Sequence, residues 1–177
     1  MPSPLAALRI LLVDDNTHMR KIVAAVLRAI GVQEIEECGD GPRALTLLRE
    51  WGPHMAIIDY NMTPMDGAEL TRLIRQSPES ANPYLPIIML TGYSEKMRVE
   101  LARDAGVNEF IVKPVTAQAI ISRMNMLISK PRPFIRSEDY FGPDRRRRTL
   151  ADYEGPFRRK DDPQAQAQAQ DGDKPTE

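Results

Sequence analysis

The sequence predicts an α/β fold, a doubly wound five-stranded parallel sheet with helices on both faces. Three observations carry this. Short strand-like runs alternate five times with segments of helical period. Four of the runs are mostly apolar, as in strands covered on both sides. Polar residues gather directly after the runs, where open parallel sheets place their ligand sites.

Residues 8–13 form the first apolar run, which ends in Asp14-Asp15-Asn16. Apolar residues at 19, 22, 23, 26, 27 and 30 keep helical spacing, and Gly31 stops them. Glu34 to Cys38 alternates as a short strand. Asp40 or Gly41 caps a helix containing Ala44, Leu45, Leu47 and Leu48, closed by Gly52-Pro53. The run 55–59 is a second buried strand with a carboxylate at its end. Gly67 to Gln76 is helical, and Ser77 to Pro86 is a Pro-rich loop. Leu85 to Leu90 is the next strand and stops at Thr91-Gly92. Ser94 to Ala105 is helical and Gly106 closes it. Glu109 to Val112 is the last strand, followed by Lys113-Pro114, and Thr116 caps a final helix to about Ser129.

Composition places a boundary at the end of that helix. The 177 residues carry 24 Lys+Arg and 25 Asp+Glu, a balance that excludes a uniformly basic nucleic-acid binder. The balance is a sum of unlike parts. Residues 1–129 have net charge −2, residues 130–160 have +5 and residues 161–177 have −4. Five of the ten aromatics and six of the 15 prolines lie beyond residue 129. We therefore expect a domain over 1–129 and a basic, aromatic, extended or disordered tail over 130–177 with a low-complexity acidic end. Cys38 is alone, so no intramolecular disulfide forms, as suits a reducing cytoplasm. It reads as a small buried hydrophobe. No window has the ~18 apolar residues of a membrane span, and Met1-Pro2-Ser3-Pro4 opens no secretory signal.

The strand ends suggest a chemistry. Asp14, Asp15 and Asp59 would share one crevice with Thr91 and Lys113. Clustered carboxylates repel one another unless a proton or a cation sits among them. A hard divalent ion suits such oxygen ligands, and Mg²⁺ takes one or two carboxylates together with waters and a phosphate oxygen. Lys113 adds a point charge and Thr91 a hydroxyl. The set fits a carboxylate nucleophile accepting a phosphoryl group.

This constellation resembles the receiver domain of two-component response regulators, the CheY-like family, over residues 8 to 129. The matching stretches are Leu-Val-Asp14-Asp15-Asn, Ile-Ile-Asp59-Tyr-Asn61-Met-Thr-Pro-Met-Asp66-Gly67, Met-Leu-Thr91-Gly and Phe110-Ile-Val-Lys113-Pro114. The resemblance implies the flavodoxin-like strand order 2-1-3-4-5. It also implies Asp59 as phosphoacceptor and a Mg²⁺ site of Asp14, Asp15, Asp59 and the Asn61 carbonyl. Thr91 and Lys113 would hold the phosphoryl group, and Phe110 would be the switch aromatic. Lys113–Pro114 is cis in the family, and Thr63-Pro64 departs from the common Met-Pro. Tyr93, two residues after Thr91, would lean over the phosphoryl group and hinder attacking water.

The expected function is that of a single-domain response regulator, not an enzyme. A histidine kinase or phosphotransfer protein would phosphorylate it, and phosphorylation would change its binding to an output partner. Two rivals stay open, an aspartate-nucleophile phosphohydrolase and a pseudo-receiver that works without phosphorylation. Against the first, no second acid stands two residues after Asp59.

The tail repeats one motif. Asp139-Tyr140-Phe-Gly142-Pro143-Asp-Arg145-Arg146-Arg147 matches Asp152-Tyr153-Glu-Gly155-Pro156-Phe-Arg158-Arg159-Lys160. Gly-Pro predicts a turn in each copy. Tyr and Arg suit a bivalent docking element, with Tyr140, Tyr153, Arg145, Arg146, Arg158 and Arg159 as its anchors. The acidic residues among them argue against DNA binding.

Overall fold

The computed structural model describes residues 5–92 and 96–145, with the side chains of 96–99 left out. Its elements are β1 (Arg9–Val13), α1 (Thr17–Ala29), β2 (Glu34–Cys38), α2 (Gly41–Glu50), β3 (Met55–Asp59), α3 (Gly67–Gln76), β4 (Ile87–Thr91), α4 (Lys96–Ala105), β5 (Glu109–Val112), α5 (Ala117–Ser129), β6 (Phe134–Arg136) and β7 (Phe141–Pro143). The first five strands form one parallel sheet in the order β2-β1-β3-β4-β5. This is the doubly wound, flavodoxin-like order.

Strand pleating divides the core between two faces. Ile10 and Leu12 of β1, with Ile57, Ile88, Leu90 and Ile111, pack under Val23 and Leu27 of α1 and Ile120 and Met124 of α5. Leu11 and Val13 point the other way. With Ile58, Ile87 and Met89 they meet α2, α3 and α4 through Leu47, Leu48, Leu70, Ile74 and Ala102. Side chains cap four of the helices. Asn16, Asp40, Asp66 and Thr116 accept backbone N–H groups from the first turns of α1, α2, α3 and α5, each cap contributing about 1 kcal/mol. Cys38 is buried as expected, and burial pushes its thiol up to about 11.

The compact unit extends past residue 129, to Arg145. After α5 the chain turns into the antiparallel β6–β7 hairpin, here called the strap. Its Phe134 and Phe141 close a triangle of rings with Tyr84, with centroids 5.1 to 5.6 Å apart. Beneath them lies Arg75 of α3, only 2% exposed. Its guanidinium donates to Gly106 O (3.0 Å), Pro83 O (2.7 Å) and Asn108 Oδ1 (2.9 Å), and its centre sits 5.0 Å from the Phe134 ring centroid. All three acceptors are neutral, and desolvation pulls the Arg75 pKa down to about 10. Arg132 donates to Asn108 O and pairs with Glu109 Oε1, while Arg123 of α5 pairs with Glu109 Oε2.

The first copy of the repeated motif folds within this strap. Tyr140 is buried and its hydroxyl donates to Pro143 O at 2.7 Å. Arg145 lies 3.8 Å over the Tyr140 ring and bonds Asp104 Oδ1 at 2.7 Å. Gly142-Pro143 forms no turn here but lies in β7, and a Cβ at Gly142 would come within 2.8 Å of Gly106 Cα, so only glycine lets β7 approach the residue after α4 this closely. The composition boundary at 130 thus differs from the structural one. Of the aromatics beyond residue 129, Tyr140 and Phe141 are buried and Phe134 is half-buried in this unit.

Candidate functional site

The in-register strands align their carboxyl ends along one edge of the sheet. Asp14 follows β1, Asp59 ends β3, Thr91 ends β4, and Lys113 follows β5. Carboxylate oxygens of Asp14, Asp15 and Asp59 lie within 4.8 Å of one another. Asp14 and Asp59 are 1% and 3% exposed, whereas Asp15 faces solvent. Lys113 Nζ stands 2.9 Å from Asp59 Oδ1 and 3.7 Å from Asp14 Oδ2. The Lys113 amide donates to Thr91 O at 2.8 Å, which joins the ends of β4 and β5.

Each acid is held by its loop. Asp14 N donates to Cys38 O, and Asp14 Oδ1 accepts from Asn16 N at 2.8 Å. Asp14 Oδ2 is buried without a hydrogen-bond donor, and so is Thr91 Oγ1. Asp15 Oδ2 accepts from the Thr63 amide at 3.3 Å, which ties the β1–α1 loop to the β3–α3 loop. Gly67 lets α3 start against Asp59. A Cβ there would sit 2.3 Å from Asp59 O. The sequence marks Gly67 as the start of a helix and the end of a matching stretch, not as a contact of Asp59.

Burial pushes the Asp59 carboxyl above its ordinary value. Lys113 opposes the shift, and Asp14 and Asp15 add to it. Ionising Asp59 in the metal-free fold therefore costs stability, and the cost builds as pH rises from the usual 3.8 toward the raised pKa and is full above it. Below the usual 3.8 the group is protonated in both folded and unfolded chains, and the cost vanishes. We expect metal-free Asp59→Asn to unfold at a higher temperature than wild type at neutral pH. The difference should close as pH drops toward 3.8. Thermal melts across pH check this, and equal midpoints at pH 7 would count against it.

The other expected residues fall as follows. Asn61 lines a notch beside the site with Tyr60, Met62, Thr63 and Asp66. Phe110 on β5 is half-buried against the α2–α3–α4 side of the core, and its carbonyl accepts from Arg123. Pro114 follows a cis bond, and Thr63–Pro64 is also cis. Tyr93, Arg146, Tyr153, Arg158 and Arg159 lie outside the described residues. Tyr140 and Arg145 are not brought to the acidic edge. They are engaged in the strap, which packs where β4 and β5 begin. No helix among the described residues is long and apolar enough to cross a membrane.

The profile of the response regulator receiver domain matches residues 10–125. The chain belongs to that family. Among curated receiver proteins, chemotaxis protein CheY-3 of Vibrio cholerae serotype O1 is 34% identical over 123 residues, which span 70% of this chain and 93% of that protein. Chemotaxis protein CheY of Pseudomonas aeruginosa is 32% identical, over 70% of this chain and 98% of its own. Among solved structures, a putative response regulator from Chloroflexus aurantiacus aligns with a TM-score of 0.64 at 28% identity, covering 70% of this chain and 98% of that one. A receiver domain of a Pseudomonas aeruginosa sensor histidine kinase aligns with a TM-score of 0.62 at 27% identity, covering 70% and 98%. That receiver was crystallised with a magnesium ion coordinated in its active-site cleft. The receiver family works in phosphorelay signalling, and the present chain has an aspartate cluster at the carboxyl edge of its sheet.

Proposed function

We propose that this receiver accepts a phosphoryl group on Asp59, with Mg²⁺ bound, from a histidine kinase or phosphotransfer protein. The observation that carries the reading is the cluster of Asp14, Asp15 and Asp59 within 4.8 Å, with Lys113 at 2.9 Å from Asp59. The residues suit a hard cation. Asp14 Oδ2 is buried and lacks a donor, and Asp15 offers an exposed carboxylate. Asp14, Asp15, Asp59 and the Asn61 carbonyl would hold the ion. When bound, Mg²⁺ supplies neutralisation of phosphoryl charge.

The protein's own groups do the rest. An Asp59 oxygen attacks phosphorus, the P–N bond of the donor phosphohistidine breaks with its electron pair going to nitrogen, and the ring, protonated on its other nitrogen, leaves as neutral imidazole. Lys113 pairs with the phosphoryl oxygens. Thr91, whose hydroxyl lacks a partner in this state, donates to one of them. Phe110, half-buried one strand away, follows Thr91 and changes the α4–β5–α5 face for an output partner. The shift is limited to the phosphoryl group's differential contact energy with the two states. Docking of a partner through the tail then falls to the second motif, because Tyr140 and Arg145 are engaged in the strap.

Acetyl phosphate with Mg²⁺, followed by intact mass measurement, tests the reading. Wild type should gain one phosphoryl group and Asp59→Asn none. A generic phosphate ester should not be turned over. An unmodified wild type would refute the proposal.

A further inference from the structure

Arg20 of α1 takes no part in the chemistry above, yet it reaches back to the loop that carries the acids. Its Nη1 donates to Asp14 O at 2.5 Å and its Nη2 to Thr17 Oγ1 at 3.1 Å. Its Nε lies 3.8 Å from Glu37 of β2, and Glu37 is held from the other side by Arg28, also at 3.8 Å. The Arg20 side chain is 16% exposed. The peptide it grips is the one that joins Asp14 to Asp15. With Asp14 N on Cys38 O, both sides of that residue's backbone are fixed.

The space for this guanidinium is made by Gly39. A Cβ at position 39 would stand 3.3 Å from Arg20 Nη1, 4.0 Å from Cζ and 3.9 Å from Asp14 O. All three atoms nearest to that Cβ belong to the Arg20–Asp14 contact, so a branched side chain would push the guanidinium off the Asp14 carbonyl.

We propose that Arg20 and Gly39 form a positioning pair, in which Gly39 admits the Arg20 guanidinium and Arg20 sets the orientation of the Asp14–Asp15 peptide for a divalent cation. The inference rests on the reading of the acidic cluster as a Mg²⁺ site. Groups that orient metal ligands without touching the metal typically change affinity by 10- to 100-fold when removed. A fixed fork differs from a mobile ammonium, so charge alone does not replace it.

The test is a titration of the full chain with Mg²⁺ alone, followed by amide chemical shifts at the strand ends. Arg20→Gln and Gly39→Val should each weaken Mg²⁺ binding by roughly ten-fold. Arg20→Lys should fall between Arg20→Gln and wild type. Should either variant fail to fold, Gly39→Ala, which moves the guanidinium by less, still must weaken binding measurably. Wild-type affinity in the folded Arg20→Gln and Gly39 variants overturns the proposal, even if their melting temperatures fall. Wild-type affinity in Arg20→Lys together with Gly39→Val also overturns it, because charge alone would then suffice. A wild type that does not respond to Mg²⁺ overturns the reading of the cluster itself.

Discussion

A chain ended after Lys130 should lose roughly 3 kcal/mol of unfolding free energy relative to the full chain. The truncation removes Tyr140 and Phe141, both buried, and takes Phe134 off the Arg75 guanidinium. It also strips Arg132 from Asn108 O and Glu109 and Arg145 from Asp104. Water would then reach Arg75 and Glu109, which eases their desolvation but does not replace the lost apolar contacts. Phe141→Ala isolates one part of the packing, with an expected loss of about 2 kcal/mol for a buried ring. Chemical denaturation of the three proteins checks both values. A truncated chain as stable as the full one would mean that the strap packs without stabilising the unit.

Removing charge from the acidic edge should act in opposite directions on stability and on metal binding. Asp14→Asn with Asp15→Asn keeps side-chain shape and takes away two of the three clustered carboxylates. Without metal, the variant should melt above wild type, since less negative charge faces Asp59. With metal the order should reverse. Mg²⁺ at a hundred times its dissociation constant would stabilise wild type by about 2.7 kcal/mol. The variant should gain almost nothing at that concentration. Melting curves with and without Mg²⁺ read both effects. Equal metal-induced shifts in the two proteins would rule out these acids as ligands.

The parallel sheet is legible because its signals are local. Residues 55–59 are apolar and end in Asp59, Gly31 and Gly106 stop α1 and α4, and Asp40 and Thr116 cap α2 and α5. Helix starts shift slightly. Asn16 brings α1 forward to Thr17, where the apolar spacing begins only at Met19. The acidic edge follows from topology, since parallel strands deliver all their carboxyl ends to one side.

The strap is not legible in the same way. Its strands are three residues long, too short for a period, and its sequence shares the charge and proline content of a solvated tail. Its packing partner, Arg75, occupies a helix position where basic residues normally face water. Nothing local shows that Pro83, Gly106 and Asn108 will surround it. Arg20 is hidden for the same reason. Its role depends on the absence of a side chain at Gly39, on another element.

The burial of Cys38 has a practical consequence. It is the only cysteine in the sequence, 6% exposed, with its thiol held at about 11. At neutral pH about one thiol in 10⁴ is ionised, and alkylating probes attack the thiolate. A cysteine introduced on the surface would therefore take a fluorophore or spin label alone, with the native residue left in place. The β3–α3 loop, the α4–β5–α5 face and the strap can each carry a single reporter by one substitution at a time.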